Sequence, residues 1–426
     1  MKFEYDVLVL GAGAAGLSAA AKIHQAGLKV GTVEARRRTG GRIHTLLEEG
    51  IYPVELGAEF VHGRPACLKA FEEFADAVPP VWWRRRGKHL VRADDIFKHI
   101  EKVFHELRLA LGGREMPFGP AIGSLEGRFP EEWLEQTRAF VAGFYAAPLD
   151  TVSAQSVIAV PPALGNAASD DAFRLRCGYS RVLQPFLKTL PERTLHLGCA
   201  VYEIDWAPGA VIFRYQDAEG QGELHARQAV ITTPVGCWGK VEFHPPIAAK
   251  QEAIKKIGMG QIHRVVLRFR EAFWEHGDFH PGYLQSDARP FVTFWTSRPW
   301  PEARFTCWSG GSQTAGVGAS PKAQAQRALA DALGVSVARV ESELIDAYYH
   351  DWGADPYAGG AYSFRRADAE DAVERLVEPV ADTLFFAGEA CHLGDRTGTV
   401  DGAIETGTLA ALQVLARAGV RAQKAS

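Results

Sequence analysis

Glycines, acids and arginines recur together along this chain in groupings suited to phosphates and sugar hydroxyls. Gly11, Gly13 and Gly16 follow the apolar run Val7 to Leu10. In a strand–turn–helix unit, Gly11 and Gly13 allow a tight turn and close approach of a pyrophosphate. Gly16 then lets a helix over Ala14 to Gln25, opening with Ala14-Ala15, pack closely on the sheet. The helix N-terminus adds unpaired N–H groups and positive dipole. A second strand, Lys29 to Val33, delivers Glu34 about 20 residues on, the spacing of a carboxylate that binds ribose hydroxyls. After Glu34-Ala35, three arginines (Arg36, Arg38 and Arg42) surround Gly40-Gly41. Arg37 reads as solvated, whereas Arg42 beside two glycines can meet a phosphate together with backbone. Gly57 and Ala58, ahead of Glu59, are small enough for a flat ring to lie against the chain.

The far end returns to the same chemistry. Leu384-Phe385-Phe386 is an apolar strand followed by Ala387-Gly388-Glu389, and Gly398-Thr399-Val400 opens a helix over Asp401 to Leu415. A nicotinamide domain is usually finished within one stretch of chain, so this return points to a flavin. The first N–H groups of the closing helix can face the pyrimidine carbonyl, where reduction places negative charge.

The elements that must position these groups need two domains, because 426 residues exceed what one core supports. Residues 94–112, 130–145 and Ser320 to Leu333 have helical signals, and Ala200–Asp205, Val211–Tyr215 and Leu224–Thr232 read as a meander. A net charge of −4 gives no case for nucleic acid or an anionic membrane. Six cysteines without a C-x-x-C pair suggest neither metal site nor disulfide framework, which fits a reduced, cytoplasmic setting. No apolar run reaches the roughly 18 residues of a membrane helix. The early first strand and the tail Leu415 to Arg421 give the expectation of neither signal peptide nor membrane anchor.

Taken in order, several motifs resemble the flavin-dependent amine oxidase family of monoamine oxidases, polyamine oxidases and lysine-specific histone demethylases. They are Glu34-Ala35-Arg36 through Gly40-Gly41-Arg42, Gly57-Ala58, Thr232-Thr233-Pro234, Met259-Gly260 through Phe269, Trp352 with Pro356, Gly360 and Tyr362, and Ala387-Gly388-Glu389. The resemblance implies an α/β fold: a Rossmann-like FAD-binding domain of residues 1–75, 175–245 and 375–426. An inserted substrate domain of mixed sheet and helices takes 76–174 and 246–374. It also implies that Val201 meets the adenine, that Thr233 lies at a cofactor-facing strand end, and that Glu389 binds ribityl hydroxyls. FAD is expected without a covalent tether, since Ala361 stands where animal monoamine oxidases carry the linking cysteine.

The implied reaction is hydride transfer from the carbon beside a neutral amine to flavin N5, then hydrolysis of the imine. Oxygen would give hydrogen peroxide, and another electron acceptor is the alternative. Tyr362 occupies the family's first aromatic-wall position. Thr399 replaces the opposite tyrosine, as in histone demethylases and animal polyamine oxidases, and favours a polyamine or another secondary or bulky amine over a small arylalkyl amine. His62, in Gly-Ala-x-aromatic-x-His-Gly, points the same way. Arg264 stands where the family usually places a lysine that reaches flavin N5 through water. Phe60 and Trp295 are the first choices for the substrate pocket among many aromatics that include Trp274, Tyr283, Phe291, Phe294, Phe305 and Trp308. Trp82-Trp83-Arg84-Arg85-Arg86-Gly87 reads as an exposed hairpin. A monomer or homodimer acting on a small amine is expected. A C–C desaturase or porphyrinogen oxidase and a flavin-binding protein without turnover remain open.

Overall fold

The computed structural model describes residues 3–159 and 172–419; the end of the expected tail helix, beyond 419, lies outside them. The first strand, Tyr5–Leu10, is buried from Val7 onward, which is why it is apolar without alternation. The helix after the glycines spans Ala14–Gln25 as the sequence predicts. The second strand, Val30–Glu34, runs one residue further than expected and carries Glu34 as its last residue.

These strands belong to an eight-stranded sheet ordered Leu195–Leu197, Val30–Glu34, Tyr5–Leu10, Gln221–Ile231, Ala210–Gln216, Ala200–Ala207 and Glu242–His244. The long strand Gln221–Ile231 organises it. Its first half pairs antiparallel with Ala210–Gln216, completing the meander. Its second half pairs in parallel with Tyr5–Leu10 and, through Ala229 to Ile231, with the late strand Leu384–Phe386. The two ends of the chain therefore lie on either side of one strand. The first helix and the last helix, Val400–Arg417, then cross over the sheet at small residues. A Cβ on Gly407 would fall 2.1 Å from the Ala15 carbonyl oxygen. The Ser18 hydroxyl donates to the Ile404 carbonyl at 3.1 Å in the same crossing.

A second, seven-stranded sheet is ordered Leu344–Tyr349, Ile262–Phe269, Arg304–Gly310, Thr293–Thr296, Tyr283–Gln285, Trp82–Arg86 and His89–Arg92. Helices Ile96–Leu111 and Glu131–Phe144 share a core with Trp82, Tyr283 and Trp295 from one part of it. On another part, helix Pro321–Leu333 packs against Val265, Leu267 and Phe305. A short three-stranded sheet centred on Ala172–Leu175 pairs with Phe60–His62 and Ala75–Ala77.

Two differences from expectation have clear causes. The Trp82–Arg86/His89–Arg92 hairpin forms, but it completes the second sheet, so both tryptophans are buried rather than exposed. Helix Ala248–Lys255 lies beyond the expected boundary at 245, yet Ala253 shares a core with Leu8, Ile204 and Phe213 of the first sheet. Buried Lys250 fastens that helix to the end of helix Ala372–Val377, donating to the Arg375 and Glu378 carbonyls. The apolar face and this lysine place residues 248–255 with the first sheet.

Candidate active site

One cavity of about 890 Å³ runs from the glycine turn after the first strand into the second sheet. At its nucleotide end, Gly11 has φ +101° and Gly16 lies so close to the turn that a Cβ would sit 1.9 Å from the Gly11 carbonyl oxygen. Gly13 differs: nothing lies within 4 Å of a Cβ built there, and no side chain caps the helix that it precedes. The glycines thus divide into two that pack and one that leaves room. Glu34 is oriented by the amides of Ala12 and Arg36, both at 2.9 Å. The second glycine pair docks alongside, with the Gly40 amide donating to the Ala12 carbonyl at 2.8 Å. Ala15, Ala35, Gly41, Val201 and Thr233 border the same end. These are the features a dinucleotide cofactor requires, and FAD fits them in kind: open backbone at a helix N-terminus and an oriented carboxylate.

Arg36 is placed by a residue that sequence reasoning missed. Its guanidinium pairs with Asp355 and lies over the Tyr357 ring at 5.4 Å. Burial would raise the Asp355 carboxyl, but hydrogen bonds from Arg36, the Tyr357 amide and His350 outweigh it and hold it at about 2. Asp355 directly precedes Pro356 of the motif already singled out, which was the available signal.

At the middle of the cavity, Glu389 is buried beneath the other end of the cofactor space. It accepts from Arg42 Nη1 at 2.7 Å, the Ser363 hydroxyl at 2.6 Å and the Gly398 amide at 3.0 Å. Expected on ribityl hydroxyls, it borders the cavity while also gathering protein donors from three chain segments. Arg42 also reaches the Ala361 carbonyl at 2.9 Å. Gly57 must be glycine because a Cβ would stand 1.8 Å from the Arg42 carbonyl oxygen. Gly57, Ala58, Gly388 and Val400 line this part. Tyr362 also lines it, its ring fixed by donation from its hydroxyl to the Phe144 carbonyl at 2.6 Å. Thr399 caps the last helix, accepting from the Gly402 amide at 3.0 Å and donating to the Arg396 carbonyl at 2.8 Å. Its hydroxyl is therefore committed to the backbone, and toward the cavity it presents a small wall.

The largest departure concerns Glu59 and Arg264. Arg264 is buried, with Nη1 donating to the Gly57 carbonyl at 2.6 Å and Nη2 to Glu59 at 2.5 Å. Glu59 also accepts from Arg174 Nε at 2.7 Å and the Trp295 indole at 3.0 Å. Glu59, expected beside the cofactor, borders the cavity and is also the counter-ion of two arginines. Burial opposes its charge, yet Arg264 and Arg174 hold its carboxyl below the usual range. Arg174 had no sequence signal, because a lone arginine in Ala172–Leu175 looks like any surface residue. It is almost wholly buried and also donates to the Thr296 carbonyl at 2.8 Å. His62 lies on the cavity wall; burial pushes its imidazole down, against a smaller upward pull from Asp401. Of the aromatic candidates, Trp295, Tyr283 and Trp308 line the cavity with Phe60, whereas Trp274, Phe291, Phe294 and Phe305 form core. Every site residue picked from the sequence borders this one cavity except Gly16, whose role is packing.

The model of the flavin containing amine oxidoreductases matches residues 14–76 and 100–415. Among curated proteins, polyamine oxidase 3 of Oryza sativa subsp. japonica is 27% identical over 95% of this chain and 88% of its own. Human lysine-specific histone demethylase 2 is 25% identical over 96% of this chain, which spans only 53% of the demethylase. Among solved structures, wild-type putrescine oxidase bound to putrescine superposes with a TM-score of 0.77 at 20% identity, covering 97% of this chain and 99% of that one. A cofactor-binding mutant of the same oxidase reaches a TM-score of 0.82 at 18% identity, with the same coverage. With the cradle, the closing Gly-Glu and the matched family model in agreement, the chain belongs to the flavin-containing amine oxidoreductases and is an FAD-dependent amine oxidase.

Proposed function

We propose that the enzyme oxidises the C–N bond of a secondary or bulky amine to an imine, which water hydrolyses to a carbonyl compound plus a smaller amine or ammonia. When bound, FAD accepts the hydride from the carbon beside nitrogen and passes both electrons to dioxygen, giving hydrogen peroxide. The observation that carries this reading is the single cavity that joins the glycine cradle to Tyr362, Phe60 and Trp295. Gly11, Gly13, Glu34 and Arg36 would hold the nucleotide half, and Arg42, Gly57, Ala58 and Val400 the ring half. Tyr362 would desolvate the amine and aim its C–H bond, since its ring is fixed through Phe144. Thr399 would widen the opposite side.

A second acceptor in place of oxygen is favoured by one feature, the Arg264 guanidinium held by Gly57 and Glu59 instead of being free toward the ring. Anaerobic mixing of the yellow FAD-loaded protein with an amine panel tests the main reading. Bleaching by at least one amine is expected, and an oxidised spectrum with every amine would overturn it.

A further inference from the structure

The substrate-domain end of the cavity is an almost continuous circuit of rings. Trp82 stacks on Tyr283 at 4.4 Å between centroids and meets Phe97 edge-on at 5.2 Å. Phe97 leads to Phe140 at 5.9 Å and Phe140 to Phe144 at 5.4 Å. From Phe144 the circuit passes to His62 at 6.4 Å, to Phe60 at 6.2 Å and back to Tyr283 at 6.5 Å. All these spacings are those of interacting aromatic pairs, and every ring borders the cavity. The uncharged polar side chains Gln285 and Thr293 border the same cavity, as do the paired ions Glu59 and Arg264.

Charge at this end is set from behind the rings. Arg174 lies over Phe60 at 4.8 Å, and Arg264 over Trp295 at 5.8 Å. Glu59 pairs with both guanidiniums, and burial disfavours the charge of Glu55, the other acid acting on Arg264, so the two arginines outweigh their acids and the wall is net positive. The other carboxylates bordering the cavity are Glu34, Glu389, Asp395 and Asp401. Glu34 serves the nucleotide end, Glu389 is taken by Arg42, Asp401 pairs with Arg396 at 2.9 Å, and Asp395 is exposed. An aromatic face ordinarily welcomes a cation, but here two faces are already backed by guanidiniums. A second ammonium on the substrate would lose its water and find a positive wall in return.

We infer, resting on the amine-oxidising reading above, that the substrate is a monoamine with an uncharged aromatic or bulky apolar body, and that diamines and polyamines are discriminated against. The circuit of rings supplies apolar area to the body, and the arginine-backed wall also favours the neutral amine over the ammonium. This sets the chain apart from relatives named for polyamines.

Anaerobic stopped-flow reduction of the FAD-loaded enzyme by phenylbutylamine, putrescine and spermidine tests this. Phenylbutylamine is expected to exceed either polyamine in reduction efficiency by at least about tenfold, the scale on which pocket contacts discriminate. Equal or better reduction by putrescine or spermidine would overturn the inference while leaving amine oxidation intact. Reduction by no amine at all would instead overturn the function on which it rests. In Phe140→Asp, a carboxylate enters the circuit, and the ratio of putrescine to phenylbutylamine efficiency should rise at least about tenfold. An unchanged ratio in an FAD-loaded variant would also count against the positive wall.

Discussion

Arg264 illustrates how much a single side chain can hide from its sequence context. Its place in the Met-Gly strand was legible, but its partners come from Gly57 and Glu59, some two hundred residues away. Lysine offers one nitrogen on a compact head and does not reproduce the guanidinium fork, in which separate nitrogens reach the carbonyl and the carboxylate. In Arg264→Lys the ammonium would be free to turn toward the cavity, where it would stabilise negative charge as oxygen is reduced. Reoxidation of the reduced enzyme by oxygen should accelerate about tenfold, equivalent to about 1.4 kcal/mol in the barrier. Stopped-flow traces identical to those of the parent enzyme would refute this. Glycines were the more readable residues. Gly11, Gly13 and Gly57 each answer a local demand for backbone space, and local demands are written in neighbouring residues. Buried ion pairs such as Glu59–Arg174 are not, because a charged residue reads as exposed until a distant partner is known.

At the scale of elements, periodicity and punctuation served well. The helices Ala14–Gln25 and Pro321–Leu333 and the meander strands lie within a residue or a few of their expected bounds. The Trp82–Arg86 hairpin failed in exposure rather than existence, since its burial depends on parallel pairing with Tyr283–Gln285, which no local pattern encodes. The last helix offers a direct test. Thr399→Ala removes its only side-chain cap, a loss of about 1 kcal/mol. Because Thr399 and Val400 border the cavity, FAD should dissociate faster from this variant, and Thr399→Ser should restore both properties. Equal melting temperatures and FAD release in Thr399→Ala and the parent would show that the cap is idle.

Over the whole molecule, stability should carry a signature of one buried acid. Glu55 joins three segments, accepting from the Tyr179 amide and the Thr45 hydroxyl, both at 2.7 Å. Burial pushes its carboxyl up to about 7 from 4.5, against the lowering effect of those donors. The folded chain therefore keeps a proton that the unfolded chain releases, so stability falls as pH rises from 4.5 through about 7. The loss is about 3 kcal/mol. Glu55→Gln should remove that decline: its urea midpoint at about pH 8 relative to about pH 5 should drop less than that of the parent. Parallel declines would assign the pH dependence to other groups.

The strand Gln221–Ile231, flanked by chain from both ends, has a consequence for how the protein is made. Synthesis proceeds from the N-terminus, and domains generally fold as their residues emerge. The glycine turn and Glu34 leave the ribosome about 350 residues before Gly388, Glu389 and the helix Val400–Arg417. Until then one side of the central strand has no partner for Ala229 to Ile231, and the cofactor cradle has only half its walls. Cofactor loading thus waits on the late segment: a nascent chain that stops short of Gly388 stays colourless, and the yellow of the bound flavin reports that the strand Leu384–Phe386 and the helix Val400–Arg417 have been made.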